Sequence, residues 1–257
     1  MTSRSTWIAT RPGPRTPRAR LFCFPYAGGS AHEFLAWQDT LGPDIEVCAV
    51  QLPGRGARWS ETPYTRIDRL VHDLAPHVLP LLDRPCAFFG HSLGALVAFE
   101  LCRRLHLQQA PLPSRLFASG CDAPQRRSAP GGLHVLPEEA FIETLRGYNG
   151  TPPAVLAQRD LMALLLPTLR ADFEIAELYA YRPGVRLPLP ITVLAGRADG
   201  EVDEAQLHAW SLETTGDCEL HWFDGDHFFV HSSRDAVIAL VAAHLATGVD
   251  TRDDVPA

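Results

Sequence analysis

The stretch that most limits what this chain can fold into is Gly90-His91-Ser92-Leu93-Gly94, set between two runs of different character. Before it, Cys86-Ala87-Phe88-Phe89 is a short apolar run bounded by Pro85 and Gly90, the pattern of a buried strand. After it, apolar residues over positions 93–105 recur at intervals of three and four among Ala and Leu, the pattern of a buried helix. A side chain on so sharp a strand-to-helix turn has strained backbone angles, so the residues two before and two after it must be small. The turn lifts the Ser92 hydroxyl clear of the sheet and aims the first helical N–H groups at whatever lies above it. The pattern predicts a nucleophilic serine on an α/β scaffold.

The rest of the chain supplies that scaffold. Apolar runs at 21–24, 45–50, 86–89, 115–120, 191–195 and 218–223 alternate with helical patterns, which predicts a mostly parallel sheet with helices on both faces. With 257 residues the chain suffices for one large α/β domain. From Ala123 to Gly184 the rhythm changes. Helical patterns at 137–146, 154–169 and 171–181 follow one another without a strand, and Leu164, Leu165, Leu166, Leu169 and Phe173 form an apolar surplus open to exposure. A helical lid lying over the carboxyl edge of the sheet accounts for this surplus. The expected organisation is a loose leader over 1–19, rich in Arg, Pro, Ser and Thr, and a core formed by 20–122 and 185–246. The lid insertion spans 123–184, and a polar, flexible tail spans 247–257.

Composition removes several functions. The net charge of -7 is modest and dispersed, which favours neither nucleic acid nor an anionic membrane as partner. All 23 basic residues are Arg, so Schiff-base chemistry, a Walker lysine and a lysine general base are excluded. The six cysteines stand singly within apolar patterns, without metal-ligand spacing, and read as buried thiols of a reducing compartment. No signal-peptide core and no membrane-length apolar run is present, so a cytoplasmic protein is expected.

A serine hydroxyl is a weak nucleophile until a base takes its proton, and an imidazole base needs a carboxylate to fix its tautomer. On this kind of scaffold the acid and then the histidine follow the serine, each on a loop after a later strand. Of eleven histidines, His227 lies immediately beyond the last strand, in a Gly-containing turn ahead of Phe228-Phe229, and is the expected base. His32, His72, His77 and His106 fall in helical patterns, and the turn geometry points His91 away from the serine. Asp199 follows the penultimate strand and is the expected acid. Asp122, after the run at 115–120, is the alternative, whereas Asp224 and Asp226 lie too close to His227 along the chain. The cluster of Asp224, Asp226 and His227 has no second ligand group at metal spacing, so no metal is expected. Tyr26-Ala27-Gly28-Gly29-Ser30, directly after the first strand, is a loop able to point N–H groups inward. Ala27 N–H and Leu93 N–H are therefore the expected oxyanion donors.

Six segments occur together in one order: Phe24-Pro25-Tyr26-Ala27-Gly28-Gly29, Leu52-Pro53-Gly54-Arg55, Gly90-His91-Ser92-Leu93-Gly94, Gly150-Thr151-Pro152-Pro153, Leu169-Arg170-Ala171-Asp172-Phe173 and Gly225-Asp226-His227-Phe228-Phe229. Together, over roughly 21–245, they resemble the type II (external) thioesterases of polyketide and nonribosomal peptide synthesis. They are similar also to the medium-chain fatty-acid synthase thioesterase. The resemblance implies an α/β-hydrolase fold with a helical lid, and Ser92, Asp199 and His227 as triad with Ala27 and Leu93 as oxyanion hole. It implies hydrolysis of stray acyl groups from the phosphopantetheine arm of acyl or peptidyl carrier proteins. The carrier is then a transient partner, the enzyme a monomer, and no cofactor is needed beyond the arm the substrate carries. A carboxylesterase or lipase using the same triad, and an idle hydrolase fold that only binds carriers, are the alternatives. The chain departs from the family pattern at Gly200, where Asp or Pro is common, and at Asp226, where Gly is common. Arg55 is open to pairing with an acidic group, to supporting the active-site rim or to lying solvated on its loop, and the sequence does not choose; Asp226 has no role assigned by the pattern.

Overall fold

The structure is a computed structural model that describes residues 6–11, 17–127 and 131–250, the last four by backbone only. Among the described residues seven strands form one sheet: β1 (Ile8–Ala9), β2 (Ala19–Phe24), β3 (Ile45–Val50), β4 (Cys86–His91), β5 (Arg115–Ser119), β6 (Ile191–Gly196) and β7 (Cys218–Phe223). Their order across the sheet is β1-β3-β2-β4-β5-β6-β7. From β3 to β7 every neighbouring pair is parallel, and β1 alone runs antiparallel, on β3. The expected mostly parallel sheet is therefore present.

The described residues form ten α-helices in chain order: α1 (Ala31–Leu35), α2 (Gln38–Leu41), α3 (Ile67–Val78), α4 (Leu93–Leu107), α5 (Glu138–Tyr148), α6 (Pro153–Leu156), α7 (Arg159–Glu177), α8 (Glu204–His208), α9 (Phe229–Ser232) and α10 (Arg234–Asp250). The strands carry apolar residues at successive positions because both faces of the sheet are covered. Phe22, Phe24, Phe88, Leu116 and Val193 enter one core with Leu70 and Leu74 of α3 and Leu96 and Phe99 of α4. Their alternates Leu21, Cys23, Phe89, Phe117 and Leu194 enter the other, with Phe34, Trp37 and Val237, Ile238 and Val241 of α10. Adjacent residues of a strand point to opposite faces, and this division follows from that alone.

The chain leaves β2 toward β3 on one side and returns to place β4 on the other. The carboxyl ends of β2 and β4 thus flank the point where strand order reverses, the usual place for a ligand crevice in a parallel sheet.

Three expectations need correction. Within the supposed leader, Trp7 is buried, its carbonyl accepts from Gln51 N–H at 2.8 Å, and Ile8 and Ala9 pair with Val50 and Ala49. The Arg58 guanidinium lies 3.8 Å over the Trp7 ring, so a single aromatic anchors this segment at the sheet edge. Residues 1–5 and 12–16 of that leader lie outside the described residues, as do 251–257 of the tail; α10 continues through 247–250. In the insertion, the helical break falls near Ala157 and Gln158 rather than near residue 170, and α7 runs on through Pro167. Its apolar surplus is mostly consumed internally. Leu166 and Leu169 join Phe141, Leu145, Leu156 and Met162 in a separate core, leaving Leu164 as the exposed member.

Candidate active site

Ser92 sits at φ 53° and ψ -118°, a conformation that costs a non-glycine residue energy and persists because its surroundings enforce it. The enforcement is visible on both sides. A Cβ on Gly90 would lie 2.2 Å from the Gly94 carbonyl oxygen, and one on Gly94 would lie 2.0 Å from that of Phe24. Ser92 N–H donates to the Ser119 carbonyl at 2.8 Å, fixing the turn to β5. The missing side chain of Gly94 lets α4 start directly against the end of β2. Leu93, its first residue, and Ala27, on the loop after β2, then line one cavity together with Ser92. Leu93 N–H belongs to the helical start and has no carbonyl of its own helix to meet.

His227 and Asp199 are brought together by two loops tied to each other. Arg197 N–H donates to the Phe223 carbonyl and Ala198 N–H to the Gly225 carbonyl, both at 2.9 Å. Gly225 has φ +127°, and Gly196 leaves room for the main chain of Gly225 and Asp226 to pass. Nδ1 of His227 then lies 2.9 Å from Oδ2 of Asp199. The Asp199 carboxylate is fully enclosed, and its Oδ1 accepts the Glu201 N–H at 2.9 Å. A carboxylate only accepts, so the proton between the pair sits on Nδ1, and Nε2 is left as a base. His227 itself lines the cavity. No hydrogen bond joins the Ser92 hydroxyl to His227 among the described residues; serine–histidine pairs are often loose until substrate is bound.

The rejected candidates are occupied elsewhere. Asp122 Oδ1 accepts from Asp203 N–H at 3.1 Å, and Oδ2 pairs with the Gln206 side-chain amide at 3.0 Å, so this carboxylate organises the start of α8. Burial pushes its pKa above the ordinary carboxylate value. His91 turns away as expected, its Nδ1 2.9 Å from the Ser119 hydroxyl. It is wholly buried, and burial, reinforced by His227 and His231, holds its pKa well below the ordinary histidine value. Asp226 caps its own turn, with Oδ1 accepting from Phe228 N–H at 2.9 Å, and its Oδ2 accepts from the Asn149 amide at 3.2 Å just beyond α5.

The cavity holds about 640 Å³, within the range of small-molecule sites. Leu145, Leu169 and Phe173 of the insertion and Phe228 form its apolar side, and Asp122, Arg127, Glu201 and Asp203 its polar side. Of the readings open for Arg55, the structure takes the acidic pairing, with a partner the sequence does not name. Arg55 and Asp172 form a buried bidentate pair at 2.6 and 2.7 Å, beside the loop that carries Ala27. For Asp172 as the partner, the sequence signal is that both residues fall within segments of the family pattern.

A strained serine elbow after β4, an aspartate after β6 and a histidine after β7, on a mostly parallel sheet, define a serine hydrolase of the α/β-hydrolase type. Residues 19–245 match the thioesterase domain family, and the chain belongs to it. It is 40% identical to the gramicidin S biosynthesis protein GrsT of Aneurinibacillus migulanus over 239 residues, 93% of either chain. It is 35% identical to the thioesterase PikA5 of Streptomyces venezuelae, covering 93% of this chain and 85% of the relative. Among solved structures, the type II thioesterase BorB of the borrelidin biosynthetic cluster superposes with a TM-score of 0.87 at 39% identity. That match covers 95% of this chain and all of BorB.

Proposed function

We propose that this thioesterase acts on acyl groups carried by the phosphopantetheine arm of acyl or peptidyl carrier proteins, editing blocked or misprimed synthases. Ser92, His227 and Asp199 are the triad in this reading, and Ala27 and Leu93 N–H the oxyanion donors. The observation that carries it is the buried Asp199–His227 pair at 2.9 Å facing the cavity that also receives the strained Ser92. Kinship with proteins named for gramicidin S and borrelidin biosynthesis supports the carrier-bound substrate.

In the first half-reaction Ser92 Oγ attacks the thioester carbonyl carbon while its proton passes to Nε2 of His227. Two main-chain N–H groups receive the oxyanion, each worth ~2.7–4 kcal/mol to the transition state. The C–S bond then breaks, and the pantetheine sulfur leaves with the proton from His227. In the second half-reaction water gives its proton to His227, adds to the acyl-serine carbonyl, and the Ser92 hydroxyl is restored as the acid departs. A thioester carbonyl is electrophilic enough for this sequence, and no metal or cofactor is called upon. The segment from α5 to α7 covers the acyl end as a lid.

A transient encounter suits a monomer. No helix among the described residues is long and apolar enough to cross a membrane, and six free thiols suit a cytoplasmic setting. The test is hydrolysis of a panel of acyl-carrier proteins (acetyl, propionyl, longer and aminoacyl) beside matched acyl-CoA thioesters and p-nitrophenyl esters. Turnover is expected to be highest on carriers and abolished in Ser92→Ala. Faster turnover of the oxyesters than of any carrier thioester would overturn the assignment.

A further inference from the structure

We propose that Arg55 and Asp172 are positioning residues that hold the oxyanion loop in its donating conformation and couple it to the seating of α7. This inference rests on the proposed role of Ala27 N–H.

The loop is gripped on two successive residues. Gly28 N–H donates to Asp172 Oδ2 at 2.7 Å, and the Gly29 carbonyl accepts from Arg55 Nη1 at 3.2 Å. Asp172 is 2% exposed and Arg55 5%, so the pair works in a water-poor setting. A buried ion pair of this kind adds little stability over well-packed apolar residues of the same volume. Its place beside a proposed oxyanion donor gives it a different use.

Gly29 N–H donates to the Tyr26 carbonyl at 2.9 Å and Gly28 has φ +76°, which makes Tyr26 to Gly29 a type II turn with Ala27 at its second position. Such turns convert toward type I by rotating their central peptide through about half a turn. That peptide is the one joining Ala27 to Gly28. The Asp172 carboxylate accepts its N–H and would repel its carbonyl, so the pair admits one orientation of that peptide and fixes the ψ of Ala27, while the Ala27 N–H, on the preceding peptide, is held through the turn that the two peptides share. Asp172 lies on α7, one turn from Leu169, whose Cδ2 would lie 2.5 Å from a Cβ on Gly28. Thr168 of the same helix donates to the Gly54 carbonyl at 2.8 Å. The lid helix therefore grips the loop after β2 and the Arg55 loop together, and a displaced α7 withdraws the Asp172 and Leu169 contacts, leaving the oxyanion loop to its own turn and to Arg55.

Two double variants separate positioning from packing. R55M/D172L and R55M/D172N both remove the ion pair, but only the second keeps an acceptor for Gly28 N–H. On an acyl thioester, R55M/D172L is expected to lose about 10- to 100-fold in kcat with KM within about 3-fold, the cost of a misplaced oxyanion donor. Its affinity for a phenylboronic acid, whose serine adduct places an oxygen in the hole, falls in step. R55M/D172N is expected to recover most of that kcat. Amide hydrogen exchange at Gly28 reads the loop without turnover: protection should persist in wild type and R55M/D172N and be lost in R55M/D172L. Equal kcat in the two double variants, or Gly28 protection equal in both, overturns the inference. A wild type that turns over no thioester would overturn the functional reading instead, with the exchange comparison still judging the loop.

Discussion

Replacing Asp199 by Asn should disable the enzyme without unfolding it, and the structure dictates why. Asn is isosteric with Asp, but one of its two terminal groups accepts hydrogen bonds and the other only donates. Glu201 N–H points at Oδ1 from 2.9 Å, inside a fully enclosed site, so the Asn carbonyl must take that position. The amide NH2 is then left facing Nδ1 of His227, where Oδ2 stood at 2.9 Å. To meet a donor, Nδ1 must give up its proton, and the neutral imidazole carries it on Nε2 instead. The base that should accept the Ser92 proton is then already protonated. Losses from this tautomer reversal in other triads are about 10⁴-fold in kcat, equivalent to about 5.5 kcal/mol. The assay is steady-state hydrolysis of an acyl-carrier thioester, with thermal unfolding measured alongside. Asp122→Asn is the internal control, because its carboxylate serves Asp203 N–H and Gln206 and should leave kcat within a few-fold. If Asp199→Asn keeps kcat within 10-fold of wild type, or Asp122→Asn loses as much, the acid has been misassigned.

Gly94→Ala drives a methyl group to 2.0 Å from the Phe24 carbonyl oxygen, main chain that cannot turn aside. Overpacking of this kind costs about 1–3 kcal/mol. For a chain of this size that is a fall of about 2–12 °C in Tm. The displaced end of β2 carries the oxyanion loop, so kcat should fall as well, and a variant with unchanged Tm and kcat contradicts the packing described. His91 gives a pH signature. Its pKa is depressed in the folded protein, so on acidification the unfolded chain takes up a proton near the ordinary value of about 6.5 that the folded chain refuses. The resulting stability is complete above that pH and is lost as pH falls below it. Urea midpoints should drop between pH 7.5 and 5.5, and less steeply in His91→Gln; equal slopes in the two proteins would rule His91 out.

What could be read from the sequence and what could not divides along a physical line. Ser92 and Asp199 each follow a strand whose apolar run is complete within six residues, and His227 follows one that alternates apolar and polar over six, so each announces itself through its neighbours. The central strands are equally local, because burial on both faces makes most of their positions apolar. β1 is not legible this way, since two residues carry no periodicity and are held by a Trp7 contact to Arg58 and by pairing with β3. The course of α7 was also misread locally, because burial of Met162, Leu166 and Leu169 outweighs the missing hydrogen bond at Pro167. The same division runs through the site itself. The proposed nucleophile, base and acid are placed by local elbows, but the alignment of the proposed oxyanion loop depends on bonds between residues 144 and 117 positions apart, Gly28 to Asp172 and Arg55 to Asp172. No window of sequence contains both partners of either bond. A chain can therefore display its proposed triad plainly while the contacts proposed to align the oxyanion loop are written only in the folded structure, which is why the Arg55–Asp172 pair is where engineered loss of rate without loss of fold should be sought.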